Sequence, residues 1–283
     1  MACMIPPGDV VSRAELRAVL TRRQLKAAVD DGHVVRARRD HYVSGDAPPE
    51  VCAAVRIGGR VGCLSRLQQL GIFVFENGVV HVHVARGGTR LRSPHDRAVQ
   101  LAPQGRRGAV LHWWPLVDPP GEPAACVGVV DALIQAVRCQ LARHAIASLD
   151  SALNQKLISR VDLRTIFGAL PARYQVLRKL VDERAQSGTE TLVRLMLRSL
   201  GVDVKLQVRF DGVGFVDLLV NDWLVIECDS KQFHSEWSQQ VKDRERDLAL
   251  AQLGHPTLRV TAAQILHRPD QVRAAIRALL ASR

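Results

Sequence analysis

Three acidic side chains stand inside two runs that otherwise read as fully buried strand, and this narrows the fold most. Phe215-Val216-Asp217-Leu218-Leu219-Val220 and Leu224-Val225-Ile226-Glu227-Cys228-Asp229 lack the polar alternation of strands with a solvent face. They read as strands covered on both sides. A carboxylate in such surroundings is costly unless its charge is compensated. Glu227 and Asp229 are two apart and share a strand face. Asp217 can oppose Glu227 across a hairpin only if the connection holds an odd number of residues, such as Asn221-Asp222-Trp223, or a bulge. Two compensations fit: a hard divalent cation bound by oxygen ligands, or a salt-bridge network with arginines.

The segment before these strands supplies a fourth acid. Ser187-Gly188-Thr189-Glu190 opens a helix that runs to about Leu200 and is closed by Gly201. Glu190 lies at the border of its apolar stripe, either favoured by the helix dipole or aimed into a site. Leu206–Phe210 forms another strand, followed by a turn at Asp211-Gly212.

The first 46 residues follow a different plan. Ser12 with Glu15, and Thr21 with Gln24, are capping-box patterns that open two short helices. His33–Val43 has the length of a hairpin with its charges in the middle. Helix, helix and basic hairpin make the plan of a winged helix-turn-helix. Arg22, Arg23 and Lys26 stand near the start of the second helix, where a recognition helix meets the major groove. Arg36, Arg38 and Arg39 fall on the hairpin, placed for phosphates.

Charge supports this placement. The net charge is +11. Residues 1–120 hold 17 basic and 10 acidic side chains, residues 121–180 hold 8 and 4, and residues 181–283 hold 14 of each. Attraction to a polyanion therefore belongs to the first two thirds of the chain.

Between these ends, residues 47–180 read as an α+β connector. Pro48-Pro49 suggests a linker, and Val127–Leu149 a helix. Val80-His81-Val82-His83-Val84 alternates as a strand, with His81 and His83 on one face. The histidine pair reads as the exposed side of a half-buried strand, since no third metal ligand is evident. The six cysteines, at 3, 52, 63, 126, 139 and 228, form neither a CxxC pair nor a zinc-spaced cluster. Reduced, separately buried thiols are expected, and no structural zinc. Gly87-Gly88 lacks the Gly-Lys-Ser/Thr of a phosphate-binding loop. No run approaches the ~20 apolar residues of a membrane span, and no secretory signal is evident, so a cytoplasmic location without membrane contact is expected.

The order Glu190, Gln207, Val216-Asp217, Ile226-Glu227-Cys228-Asp229, Phe233-His234, Asp243-Arg244-Glu245-Arg246-Asp247, Gly254 and Leu258-Arg259-Val260-Thr261 resembles the nuclease-like domain related to very-short-patch-repair endonucleases, within the PD-(D/E)XK superfamily. The resemblance covers roughly residues 185–282. It implies a mixed sheet flanked by helices and Mg²⁺-dependent phosphodiester hydrolysis, with Mn²⁺ as a substitute. By position it assigns metal binding to Glu190, Asp217, Glu227 and Asp229, and proton transfer to His234. Arg246 would brace the site or contact phosphate. A superfamily lysine normally stands where Asp229 stands; Lys231 could supply that charge. Residues from about Val11 to Val43 resemble the winged-helix antitoxin domain of abortive-infection type IV systems, which binds DNA and represses its own operon.

The expectation is thus an α/β chain in three segments: a winged helix (1–46), an α+β middle region (47–180) and a restriction-endonuclease-like domain (181–283). It would be a DNA endonuclease or, alternatively, an antitoxin-like regulator whose nuclease-like domain no longer cuts, with a cognate toxin or a second copy as partner.

Overall fold

The computed structural model describes residues 5–6, 8–119, 121, 124–229 and 237–282. They divide into two compact units, residues 1–140 with 158–172, and residues 141–157 with 173–283.

In the first unit, α1 (Arg13–Val19) and α2 (Arg22–Asp30) each begin at a complete capping box, on Ser12 and Thr21. The antiparallel hairpin β1 (Val34–Arg38) and β2 (His41–Ser44) follows. Leu16, Leu25, Ala28, Val34 and Tyr42 close a small core beneath it. Pro48-Pro49 is not a linker. Pro48 caps α3 (Pro49–Ile57) and Pro49 takes its first position, where a missing N–H costs nothing. Next come β3 (Arg60–Val61), α4 (Cys63–Gln69), β4 (Val80–His83), β5 (Ala109–His112) and α5 (Val129–Cys139). β4 pairs antiparallel with β3 and parallel with β5. One core joins Ala37 and Val43 of the hairpin region to α3, β3 and β4. The hairpin therefore shares a core with the part of the expected middle region that holds α3, β3 and β4.

The helix expected over Val127–Leu149 is two helices. α5 ends at Cys139, and α6 (Ala142–Asn154) belongs to the second unit. α7 (Arg160–Ala169) returns to the first unit. The second unit continues with α8 (Gln175–Arg178), α9 (Gly188–Ser199), β6 (Val204–Phe210), β7 (Gly214–Val220), β8 (Leu224–Asp229), α10 (Trp237–Gln252), β9 (Thr257–Thr261), α11 (Ala262–His267) and α12 (Pro269–Ala281). Its sheet has the order β6-β7-β8-β9. The first two pairings are antiparallel and β8-β9 is parallel; α10 supplies the long crossover that parallel strands need. Helices α9 and α10 pack against this sheet. The expected mixed sheet flanked by helices is present.

Candidate active site

The connection between β7 and β8 decides what the acids can do. Val220 pairs with Leu224 across Asn221-Asp222-Trp223, an odd-numbered loop. Asn221 and Asp222 both adopt left-handed backbone (φ 47° and 60°), which short polar side chains tolerate better than bulky ones. Leu218 stands opposite Ile226, and one further step along both strands brings Asp217 opposite Glu227. The register condition on a shared site is therefore met.

Asp217 is the hub. Its Oδ2 accepts the Cys228 N–H at 2.8 Å, and its Oδ1 lies 3.4 Å from Gln207 Nε2. The same Nε2 donates to Glu190 Oε2 at 3.0 Å. Gln207 thus bridges the helix acid to the strand acid. Its backbone is left-handed in the middle of β6 (φ 50°), a conformation costing on the order of 1–3 kcal/mol in a non-glycine residue. Val208 pairs with Val216 and Leu206 with Leu218 on either side of it.

Glu190 is buried, and its Oε2 also accepts the Gln186 N–H at 2.9 Å. Its own N–H is capped by Ser187 Oγ. The helix start is fixed from behind as well. Asp150 of α6 accepts from Thr191 Oγ1 at 2.9 Å, Arg194 Nη2 at 2.8 Å and the Asp182 N–H at 2.7 Å. Nothing in the sequence pattern had marked Asp150, which sits on a helix far from the acids in the chain.

The other two acids meet arginines. Arg246 Nη2 of α10 stands 3.0 Å from Glu227 Oε1, yet that oxygen is buried and receives no directed hydrogen bond from the described residues. Arg246 also donates to the Phe215 carbonyl. Asp229, at the end of the inner strand β8, lies 3.5 Å from Arg259, which pairs more closely with Asp247 at 2.7 Å. Among the described residues, Glu190 and Asp217 have no such cation.

The electrostatics follow from burial. Loss of solvent, then the neighbouring Asp217 carboxylate, pushes Glu227 up to about 7, against the pull of Arg246 and Arg259. Burial also raises Glu190 and Asp229. Mutually repelling, partly desolvated carboxylates with one oxygen lacking a donor suit the oxygen preference of Mg²⁺. That ion commonly uses one or two protein carboxylates plus water and phosphate, and Asp217 with Glu227 meets the requirement. The acids are not gathered as three or more ligands about one point: among the described residues the set arranged that way is elsewhere, in the first unit. Lys231 and His234 lie outside the described residues.

In the first unit, Arg13, Arg17, Arg22, Arg23, Lys26 and Arg36 border one groove with the acid Asp30. Lys26 pairs with Asp30. Arg39 is exposed at the hairpin turn. Arg38 is engaged with the backbone. It donates to the Ile57 carbonyl at 2.9 Å and the Arg90 carbonyl at 3.0 Å, tying the hairpin to α3. His81 and His83 correct another expectation: both are buried, not on an exposed strand face.

Residues 190–280 match the restriction endonuclease-like family REase_MTES_1575. The match begins at Glu190 and spans all four acids, so the C-terminal part of the chain is a nuclease-like domain. Over 281 residues the chain is 26% identical to two Mycobacterium tuberculosis proteins, covering 91% of this chain and 96% of each relative. They are uncharacterized protein MT2308 of strain CDC 1551 / Oshkosh and uncharacterized protein Rv2248 of strain ATCC 25618 / H37Rv. The similarity thus extends over both units.

Proposed function

We propose that this protein is a divalent-metal-dependent DNA endonuclease that grips DNA through its N-terminal helix-hairpin region and hydrolyses phosphodiesters at the carboxylate cluster. The observation that carries the reading is Asp217 opposite Glu227, with Gln207 linking Asp217 to Glu190. Asp217 and Glu227 would hold Mg²⁺ or Mn²⁺, with Glu190 and Asp229 at the margin. When bound, the ion would polarise the scissile phosphate and lower the pKa of attacking water. Gln207 keeps Glu190 and Asp217 at a fixed separation, and Arg246 is placed to counter charge on Glu227 or a phosphate. Lys231 and His234 are candidates for assisting the water or the leaving group. The groove of Arg13, Arg17, Arg22, Arg23, Lys26 and Arg36 supplies cations for the DNA backbone. The expected winged helix is consistent with the α1-α2-β1-β2 order, in which Val11 also bridges to Tyr42.

The decisive experiment incubates purified protein with supercoiled, nicked and mismatched DNA, with and without Mg²⁺. Asp217→Ala should abolish metal-dependent product and spare DNA binding in a gel shift. Unchanged cleavage by that variant would sink the assignment.

One observation favours a second reading. Arg246 and Arg259 already stand beside Glu227 and Asp229, as in a site that has exchanged its ion for protein cations. On that reading the chain is an antitoxin-like DNA-binding regulator, with a toxin or a second copy as its partner. It predicts shifted DNA and no product under either Mg²⁺ or Mn²⁺.

A further inference from the structure

The first unit gathers four metal-ligating side chains that the carboxylate chemistry does not use. Cys63 is the first residue of α4, His81 lies in β4, His112 ends β5 and Cys139 ends α5. The parallel register aligns His81 with Val110 and His83 with His112, so all three histidines project from one face of the sheet. One ligating atom from each of Cys63, His81, His112 and Cys139 lies within 4.8 Å of the other three.

The spacing suits an ion. His81 Nδ1 is 3.2 Å from His112 Nε2 and 3.8 Å from Cys139 Sγ. A tetrahedral zinc with bonds of about 2.0–2.1 Å to nitrogen and about 2.3 Å to sulfur sets these separations at roughly 3.3 and 3.6 Å. Cys63, His81 and His112 are buried and Cys139 forms the rim, so the pocket has one accessible side.

The surroundings hold the ligands in place. Gln135 Oε1 accepts the Cys63 N–H at 3.0 Å while its Nε2 lies 3.3 Å from His83 Nδ1. Ser65 Oγ accepts the His81 N–H at 2.9 Å. Cys63 itself is left-handed (φ 46°), a strain kept only where the surroundings determine it.

We propose that Cys63, His81, His112 and Cys139 form a structural zinc site that ties α4, β4, β5 and α5 together. Four protein ligands of the soft Cys₂His₂ type leave no open position for a substrate, which separates this site from the hard oxygen cluster of the second unit. The expectation of no zinc rested on spacing along the chain. The ligands are dispersed over 77 positions, and only strand pairing and helix packing bring them together.

The test measures metal content of the full chain by elemental analysis, followed by cobalt substitution. One zinc per chain is expected, replaced by cobalt with the intense visible spectrum of a tetrahedral, thiolate-ligated ion. Cys139→Ser, altered at the accessible rim, should lose the metal and the thiolate band. Chelation should lower the melting temperature of the wild type towards that of Cys139→Ser and leave the variant unmoved. Asp217→Ala should keep its zinc, so failure of the nuclease reading leaves this result intact. A chain that purifies without zinc, gives no tetrahedral cobalt spectrum, or carries a Cys63–Cys139 disulfide would overturn the proposal.

Discussion

Gln207 occupies a backbone conformation that most residues avoid, and its side chain spans Glu190 and Asp217, the two acids with no arginine beside them among the described residues. Alanine there removes the bridge without emptying a core. Gln207→Ala should reduce cleavage about 10- to 100-fold, the range for residues that orient metal ligands, with little change in thermal stability; cleavage kinetics beside a melting curve separate these effects. Arg38 makes the opposite case. Arg38→Ala removes two hydrogen bonds from a charged donor to backbone carbonyls, one part-buried and one exposed, and should cost about 1.5–3 kcal/mol of stability. It should leave the salt dependence of DNA binding unchanged. An altered salt slope with unaltered stability would return Arg38 to the binding surface. The sequence could list Gln207 and Arg38, but not which way each side chain turns.

Helix α9 carries Glu190 on its first turn, and the Asp150 network sets where that turn sits. Thr191, the next residue, and Arg194, one turn on, are both tied to Asp150. Asp150→Ala leaves the buried Arg194 uncompensated and should destabilise the protein by about 3–5 kcal/mol, measured by denaturant unfolding. Asp150→Asn gives a subtler test. Burial raises Asp150 from 3.8 to about 6, in spite of Arg194. The folded state then holds this proton more tightly than the unfolded chain does. Its contribution is complete below about pH 4 and is lost as pH rises through about 6. The wild type should therefore lose stability relative to Asp150→Asn across that interval. Parallel melting temperatures from pH 4 to 7 would show that Arg194 keeps Asp150 ionised throughout. Local signals located this helix well: Ser187 caps it, and Gly201 is left-handed just beyond its end (φ 73°). They did not reveal its partner α6, because a lone aspartate in a helix carries no mark of a contact 41 residues away.

Across the whole molecule, charge and acids are segregated by sequence. The positive excess lies before residue 181, whereas the carboxylate cluster lies after it. If the groove of the first unit binds phosphates, Arg22→Ala with Arg23→Ala should flatten the plot of log K against log salt by about one unit per lost contact. Binding should weaken alike on unrelated sequences. Retention of the full slope would place the DNA contact elsewhere. No helix among the described residues is long and apolar enough to cross a membrane.

By itself the sequence determined what short-range physics controls: capped helix starts, apolar strand runs and the placement of charge. Tertiary structure alone decided the rest. It joined the hairpin to α3, β3 and β4 in one core, tied Arg38 to backbone carbonyls, set the β7–β8 register, placed arginines beside Glu227 and Asp229, and brought Cys63, His81, His112 and Cys139 together. Periodicity and capping act over a few residues, whereas these outcomes depend on which distant surfaces bury one another, a choice made by packing that leaves no local pattern in the chain.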